Sequence, residues 1–213
     1  MSVPKNALAT KAAERRAAII AAASAVFLEE GYESANLSDI MDRAGGSFAT
    51  LYGQFGDKQG LLLAVLNDRI DAITKSMSIE LTGALPINQG LTLVGRTFVK
   101  SVLETESLDI RRLLIGLARR FPQITSRYLQ LGPDRVIQTL ACYLEERAEA
   151  GEIQLRDSHQ ASKEFLELAS AGMVNWALLD VSFRPGPVQI NRAVDRAVRL
   201  FLWDHSPGNR TTI

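Results

Sequence analysis

The stretch "AGGSFATLYGQFGDKQGLL", residues 44–62, carries two glycines, a serine and then a short helical pattern. Gly45 suits the left-handed backbone conformation that ends a helix. Gly46 extends the turn, and Ser47 can cap the helix that follows. Upstream, Asn36 can cap a short helix that runs as far as this turn. Two short helices joined by a tight glycine turn predict a helix-turn-helix, although the same spacing also fits a plain packing corner.

The second helix of this pair has one apolar side and one small, uncharged side. At about 100° per residue, Leu51 and Phe55 point together into the domain. The outward positions are Ala49, Thr50 and Gly53, with Tyr52 and Gln54 on the flanks. A helix in the major groove brings its backbone close to base edges, which small residues permit. Tyr52 and, after the next turn, Lys58 can contact phosphates, so the pattern favours DNA recognition.

The rest of the chain also has a helical period, without the sustained alternation that a half-buried strand requires. We therefore predict an all-α fold with two domains. Residues 1–56 form an N-terminal arm and a three-helix helix-turn-helix DNA-binding domain, and residues 57–213 form an α-helical ligand-binding and dimerisation domain.

The charge of the whole chain does not indicate a polyanionic partner, because 24 basic residues balance 24 acidic ones. A local basic cluster is present near the N-terminus, where Lys5, Lys11, Arg15 and Arg16 face Glu14 as the one acidic residue among the first 20. Such a cluster fits a DNA-binding arm, and it also fits a solvated helix end.

Other chemistries find little support. The single Cys142 and two histidines have no spacing typical of a disulfide framework or a zinc site, so we expect no metal and no cofactor. No Ser, Cys or carboxylate stands in a recognisable nucleophile setting, which argues against an enzyme. Since no apolar run approaches the roughly 18 to 20 residues that span a bilayer, we expect a cytoplasmic protein.

Residues 16–66, "RAAIIAAASAVFLEEGYESANLSDIMDRAGGSFATLYGQFGDKQGLLLAVL", strongly resemble the DNA-binding domain of the tetracycline-repressor (TetR) family of bacterial transcription regulators. The shared signature is "F-x-x-x-G-Y" at the end of the first helix, followed by "A-G-x-S-x-x-T-L-Y-x-x-F-x-x-K-x-x-L-L". The resemblance implies contacts with double-stranded DNA by Asn36, Ser38, Ser47, Phe48, Ala49, Thr50, Tyr52, Gly53, Gln54 and Lys58.

Two positions depart from the family pattern. Gly46 replaces the usual aliphatic residue, and Phe48 stands where many members have a polar side chain. Phe48 could contact a thymine methyl group in the major groove. Alternatively it shields the core around Leu51, which lies only about 60° away around the helix. The sequence leaves both interpretations open.

The C-terminal part looks like the AefR-like branch of the same family, on the stretch "RRFPQITSRYLQLGPDRVIQTLACYLEERAEAGEIQLRD". Middle helices would enclose an effector, with candidate pocket residues Leu113, Leu117, Phe121, Tyr128, Asn175 and Trp176. Asn175 is the most informative of them, because a buried amide needs partners that a ligand could supply. Aromatic and leucine residues at these spacings also fit plain core.

Small and apolar residues near the C-terminus predict a homodimer interface formed by two helices of each subunit. The candidate residues are Ala169, Ala171, Gly172, Val194, Val198 and Phe201. The alternative is that these stripes pack only within one subunit.

The resulting hypothesis is a homodimeric repressor that binds a palindromic operator and is released by a small, largely apolar effector. The alternative is a ligand-binding adaptor of the same fold with weak or no DNA binding, a possibility that Gly46 and Phe48 raise. The sequence alone identifies neither the effector nor the operator, and it does not distinguish a repressor from an activator.

Overall fold

The computed structural model describes residues 5–81, 85–170 and 172–207. Within these ranges the chain forms helices and no strand, so the predicted all-α fold is confirmed. The helices are α1 Lys5–Ser34, α2 Leu37–Ala44, α3 Phe48–Phe55, α4 Lys58–Glu80, α5 Ile87–Leu103, α6 Thr105–Leu117, α7 Pro122–Leu131, α8 Pro133–Glu149, α9 Ser158–Ser170, α10 Met173–Leu179 and α11 Pro187–Asp204.

Two compact units divide the chain. The first unit contains the residues up to Arg69 together with Leu113–Tyr128, and the second contains Ile70–Arg112 together with the residues from Leu129 onward. The predicted domain limits place the division after α3, whereas the contacts keep the first half of α4 with the helix-turn-helix. A segment more than 40 residues further along the chain also joins the first unit.

The glycine turn between α2 and α3 forms as the sequence predicts. Gly45 and Gly46 have φ values of 71° and 102°, in the region that favours glycine. The guanidinium of Arg15, on α1, donates a hydrogen bond to the carbonyl oxygen of Ala44 at 3.2 Å. Arg15, one of the basic residues of the N-terminal cluster, therefore holds the end of α2 against α1.

The core of the second unit is formed by α5, α8, α9 and α11. Gly95 of α5 lies against Val194 of α11 and Phe165 of α9, and a methyl group at that glycine would lie 2.9 Å from the Val194 side chain. The rings of Phe165 and Phe201 meet edge to face, with centroids 5.7 Å apart. These contacts leave no room for a larger residue at position 95.

The core position of these side chains corrects the predicted dimer interface. Ala169 and Val194 have no exposed surface, Val198 and Phe201 are also buried, and all four pack within their own chain. Ala169 and Val194 therefore offer no surface to a second subunit, while Val198 and Phe201 offer only the 7% and 5% that stay exposed. Gly172 is exposed at a positive-φ turn, and Ala171 lies outside the described residues.

The Gly90→Ala variant tests the packing at the start of α5. A methyl group there would lie 2.1 Å from the Tyr143 hydroxyl, which donates to the carbonyl oxygens of Leu85 and Pro86. Displacing this ring should cost roughly 1–3 kcal/mol of stability, measured as a lower denaturation midpoint. Gly116→Ala is the matched control, since a methyl group there meets nothing within 4 Å. Equal midpoints for the two variants would contradict the packing.

Candidate nucleic-acid interface

The recognition helix α3 is anchored by two residues on its inner side. Leu51 has no exposed surface and Phe55 is 9% exposed. The guanidinium of Arg16, on α1, lies over the Phe55 ring at 5.0 Å from its centroid. Arg16 thus covers the Phe55 ring. It is the second basic residue of the N-terminal cluster, after Arg15, that contacts the helix-turn-helix.

The cap of α3 orders two of the predicted DNA-binding residues. The Ser47 hydroxyl accepts a hydrogen bond from the Thr50 backbone amide at 3.3 Å and lies 3.0 Å from the Thr50 hydroxyl. Ser47 is exposed and Thr50 is half-buried. Either hydroxyl could hydrogen-bond to a base edge or a phosphate if the hydrogen bond between the Ser47 and Thr50 hydroxyls breaks. The helix would not have to unwind.

The start of α2 is capped by Asn36, whose side-chain oxygen accepts from the Ser38 amide at 3.0 Å. Asn36 is exposed and Ser38 is half-buried. The remaining predicted contact residues of α3 have exposed side chains or, for the glycine, exposed backbone: Phe48, Ala49, Tyr52, Gly53 and Gln54. The structure thus leaves these positions of α3 open, and their contacts with DNA stay a prediction.

Phe48 lies at the surface of the first unit. Its side chain is 44% exposed, and its ring stacks on that of Tyr52, with centroids 6.3 Å apart and an interplanar angle of 29°. Tyr52 is itself 52% exposed. Of the two interpretations that the sequence leaves open, this exposure favours the contact with DNA over the shielding role, and Arg16 covers the Phe55 ring.

Lys58, at the start of α4, has partners inside the first unit. Its ammonium group donates to the carbonyl oxygen of Glu33 at 3.0 Å and lies 5.1 Å from the centre of the Tyr32 ring. Burial lowers the pKa of Lys58, against the opposing effect of the carboxylates of Glu30 and Glu33. To reach a phosphate, the ammonium group must leave the Glu33 carbonyl.

A further cluster, which sequence reasoning missed, joins the end of α1 to the segment that follows α6. Arg120 forms an ion pair with Glu33 at 2.6 Å, and the Phe121 ring meets the Tyr32 ring edge-on at 5.4 Å. Together with Lys58, these residues form what we call the α1 junction. Arg120 and Phe121 follow Glu33 and Tyr32 by almost 90 positions in the sequence, so no local pattern could have indicated that they meet.

The predicted pocket residues are divided between the two units. Leu113, Leu117, Phe121 and Tyr128 belong to the first unit, where Leu117 is buried and the other three are half-buried. Asn175 and Trp176 belong to the second unit and are exposed. The expectation of a buried Asn175 amide is therefore wrong.

A surface groove of about 590 Å³ lies within the second unit, between residues 88–93 of α5 and residues 195–202 of α11. It contains none of the predicted pocket residues. Among the described ranges, no group of His, Cys, Asp and Glu side chains could hold a metal ion. Over the same ranges, none of the helices combines the length and apolar character needed to cross a bilayer.

An anchored, exposed recognition helix within a helix-turn-helix, followed by a second helical unit, defines a DNA-binding transcription regulator. Residues 19–65 match the family described as "Bacterial regulatory proteins, tetR family". Residues 89–204, more than half of the chain, match "AefR-like transcriptional repressor, C-terminal domain". The chain belongs to the TetR family of transcriptional regulators, which confirms the resemblance seen in both halves of the sequence.

Known relatives agree with this assignment. The HTH-type transcriptional repressor KstR of Mycobacterium tuberculosis is 25% identical over 90% of this chain and 82% of its own length. The HTH-type transcriptional activator FasR of Mycolicibacterium smegmatis is 42% identical, over 30% of this chain and 29% of FasR. The chain therefore aligns with less than a third of FasR.

Solved structures show the same fold. A TetR-family transcriptional regulator from Mesorhizobium loti superimposes with a TM-score of 0.80 and 26% identity, over 92% of this chain and 98% of the other. The flavonoid-responsive regulator FrrA superimposes with a TM-score of 0.75 and 24% identity, over 91% and 98% of the two chains.

Lys58→Ala tests the phosphate contact that the family resemblance implies. Loss of this cation should weaken binding to every DNA sequence and reduce the slope of log K against log salt by about one. Lys75→Ala, which removes one exposed charge from α4, is the control and should leave the slope unchanged. An unchanged slope for Lys58→Ala, together with a lower denaturation midpoint, would show that Lys58 serves only the contact with Glu33.

Proposed function

We propose that this TetR-family regulator is a homodimeric repressor that binds a palindromic operator and releases it when a small, largely apolar effector binds. Action on chromosomal DNA would place it in the cytoplasm, and the proposal assigns it no catalytic activity. The observation that carries the proposal is the α1 junction, where a segment of chain beyond α6 packs on the end of α1 in the DNA-binding unit.

Continuity of α6 supports regulation by an effector. Residues 105–112 of α6 belong to the second unit, and residues 113–117 belong to the first. A ligand that shifts the beginning of this helix would therefore also act on its end, which leads directly into Arg120 and Phe121. Through Glu33 and Tyr32, the shift would reach Lys58 at the start of α4. Such a shift would bias α3 between two positions, of which operator DNA selects one.

A symmetric operator requires a symmetric protein, and the exposed side of α11 is the surface that we propose for it. Trp203 lies on the side of α11 opposite the buried residues, and Leu200 lies about 60° from it, on a flank of the helix. They are 68% and 43% exposed. Leu168 of α9 and Leu179 at the end of α10 add exposed apolar surface in the same unit. A contiguous exposed apolar patch marks an interaction site, and we propose that these side chains form such a patch.

Charges on the exposed sides of α9 and α11 are largely of opposite sign. The exposed side of α11 carries Arg192, Arg196 and Arg199, and the exposed side of α9 carries Glu164 and Glu167 together with one basic residue, Lys163. In a two-fold arrangement, α11 of one subunit can meet α9 of its partner, so that unlike charges surround the apolar contacts. This arrangement replaces the buried residues first predicted for the interface.

Trp203→Glu tests the dimer. A charge at the centre of the apolar surface of α11 should convert a dimer to a monomer in sedimentation while the helix content stays unchanged, because the side chain is exposed in the single chain. Operator binding should fall by two or more orders of magnitude, since one half-site supplies too few contacts. Ile115→Glu, at a residue of similar exposure, is the control. A dimeric Trp203→Glu variant would place the interface elsewhere.

Thermodynamic linkage tests release by an effector. Apolar small molecules that raise the melting temperature of the free protein should weaken operator binding, measured by fluorescence anisotropy. Because the coupling free energy is shared, the operator must weaken binding of the same compound by the same factor. A compound that binds the free protein and the operator complex with equal affinity, yet displaces DNA, would contradict a two-state switch.

A further inference from the structure

The exposed aromatic pair at the start of α3, Phe48 and Tyr52, assigns a specific chemical role to the recognition helix. When a DNA-facing helix binds DNA, an exposed phenylalanine ring contributes favourable free energy if an apolar surface of the DNA covers it. Phe48 is the first residue of α3, and the N-terminal residues of a recognition helix in a helix-turn-helix are those that contact base edges.

The pair is held in position from within the first unit. Leu51 and Phe55 fix the rotation of α3, and Arg16 covers Phe55, so the core has no need of Phe48. The Tyr52 ring stacks on Phe48 at 6.3 Å and restricts its orientation. Phe48 is thus an apolar side chain, oriented by Tyr52, beside the small and uncharged outward residues of α3.

Base edges offer one matching partner. In the major groove, the donors and acceptors of all four bases are polar, and the 5-methyl group of thymine is the apolar feature of the edges. A phenyl ring can neither donate to nor accept from a base or a phosphate. From this geometry we propose that Phe48, oriented by Tyr52, is a specificity-determining residue that selects a thymine in each operator half-site by contact with its methyl group.

This inference rests on the proposed binding of a palindromic operator. Tyr52 acts as a positioning residue through its ring, and its hydroxyl is free for the phosphate contact predicted for it. The two parts of Tyr52 therefore have separable effects. Loss of the hydroxyl weakens binding to all sequences, whereas loss of the ring also weakens the preference for thymine.

The experiment begins with duplexes enriched from random sequence by the wild-type protein. Each thymine is then replaced by deoxyuridine, which removes the methyl group and keeps the base pair. At one symmetry-related position, replacement should lower the wild-type affinity by ~4-fold in one half-site and by ~15-fold in both, from the burial of one methyl-sized group.

The variants separate Phe48 from its neighbours. Phe48→Ala and Phe48→Gln should bind the thymine and deoxyuridine duplexes equally, and both should fold because the side chain is exposed. Tyr52→Phe keeps the ring stack and should retain the full effect of the methyl group. Tyr52→Ala should reduce it.

Each other outcome overturns a defined part of the account. If no sequence is enriched, the proposed operator binding fails, and this inference fails with it. If a sequence is enriched but no thymine methyl affects the wild-type affinity, only the role of Phe48 fails. If Phe48→Ala and Phe48→Gln keep the wild-type sensitivity, another side chain reads the methyl group, and the assignment is wrong.

Discussion

The burial of Leu51 and Phe55 is the constraint on which the function of this protein depends. Both residues lie on the inner side of a helix of eight residues, so they fix which side of α3 faces outward. Burying two such side chains contributes roughly 1.5–3 kcal/mol each, a large part of the 5–15 kcal/mol that typically stabilises a domain. The short helix therefore has one rotation about its axis. Its cap at Ser47 and its glycine turn only need to set where it starts.

The outward side of α3 is therefore available for function without cost to the fold. Ala49 and Gly53 would let the backbone approach base edges, while Phe48 and Tyr52 give one flank an apolar character. Control of this helix would depend on a second set of contacts, at the α1 junction. There Glu33 accepts from Lys58 through its carbonyl oxygen and pairs with Arg120 through its carboxylate. One residue at the end of α1 thus touches both the start of α4 and the segment beyond α6.

The sequence predicted the features that depend on local rules. The caps at Asn36 and Ser47 and the glycine turn follow from backbone preferences, and the structure has all three. The helical period and the family signature were sufficient for the all-α fold and the class of protein. The α1 junction could not be predicted, because its partners are distant in sequence and periodicity says nothing about which surfaces meet.

The errors have the same physical origin. Val194 and Phe201 recur at helical spacing whether their apolar side meets another subunit or another helix of the same chain, and here they pack within the chain. A helical pattern likewise does not say whether Asn175 points inward, and it is exposed. For Phe48, the angle of about 60° from Leu51 left two interpretations open. In the structure its ring is partly exposed and stacks on Tyr52, a contact that the angle alone does not indicate.

We propose that two copies of α3 read DNA from the positions that their anchored sides impose. Hydroxyl-radical footprinting of the protein on its enriched duplex measures those positions. Two equivalent protected patches are expected, related by the two-fold axis of the sequence and centred one DNA turn apart, roughly 34–36 Å, or a multiple of it. A single patch, or protection without two-fold symmetry, would contradict the proposal.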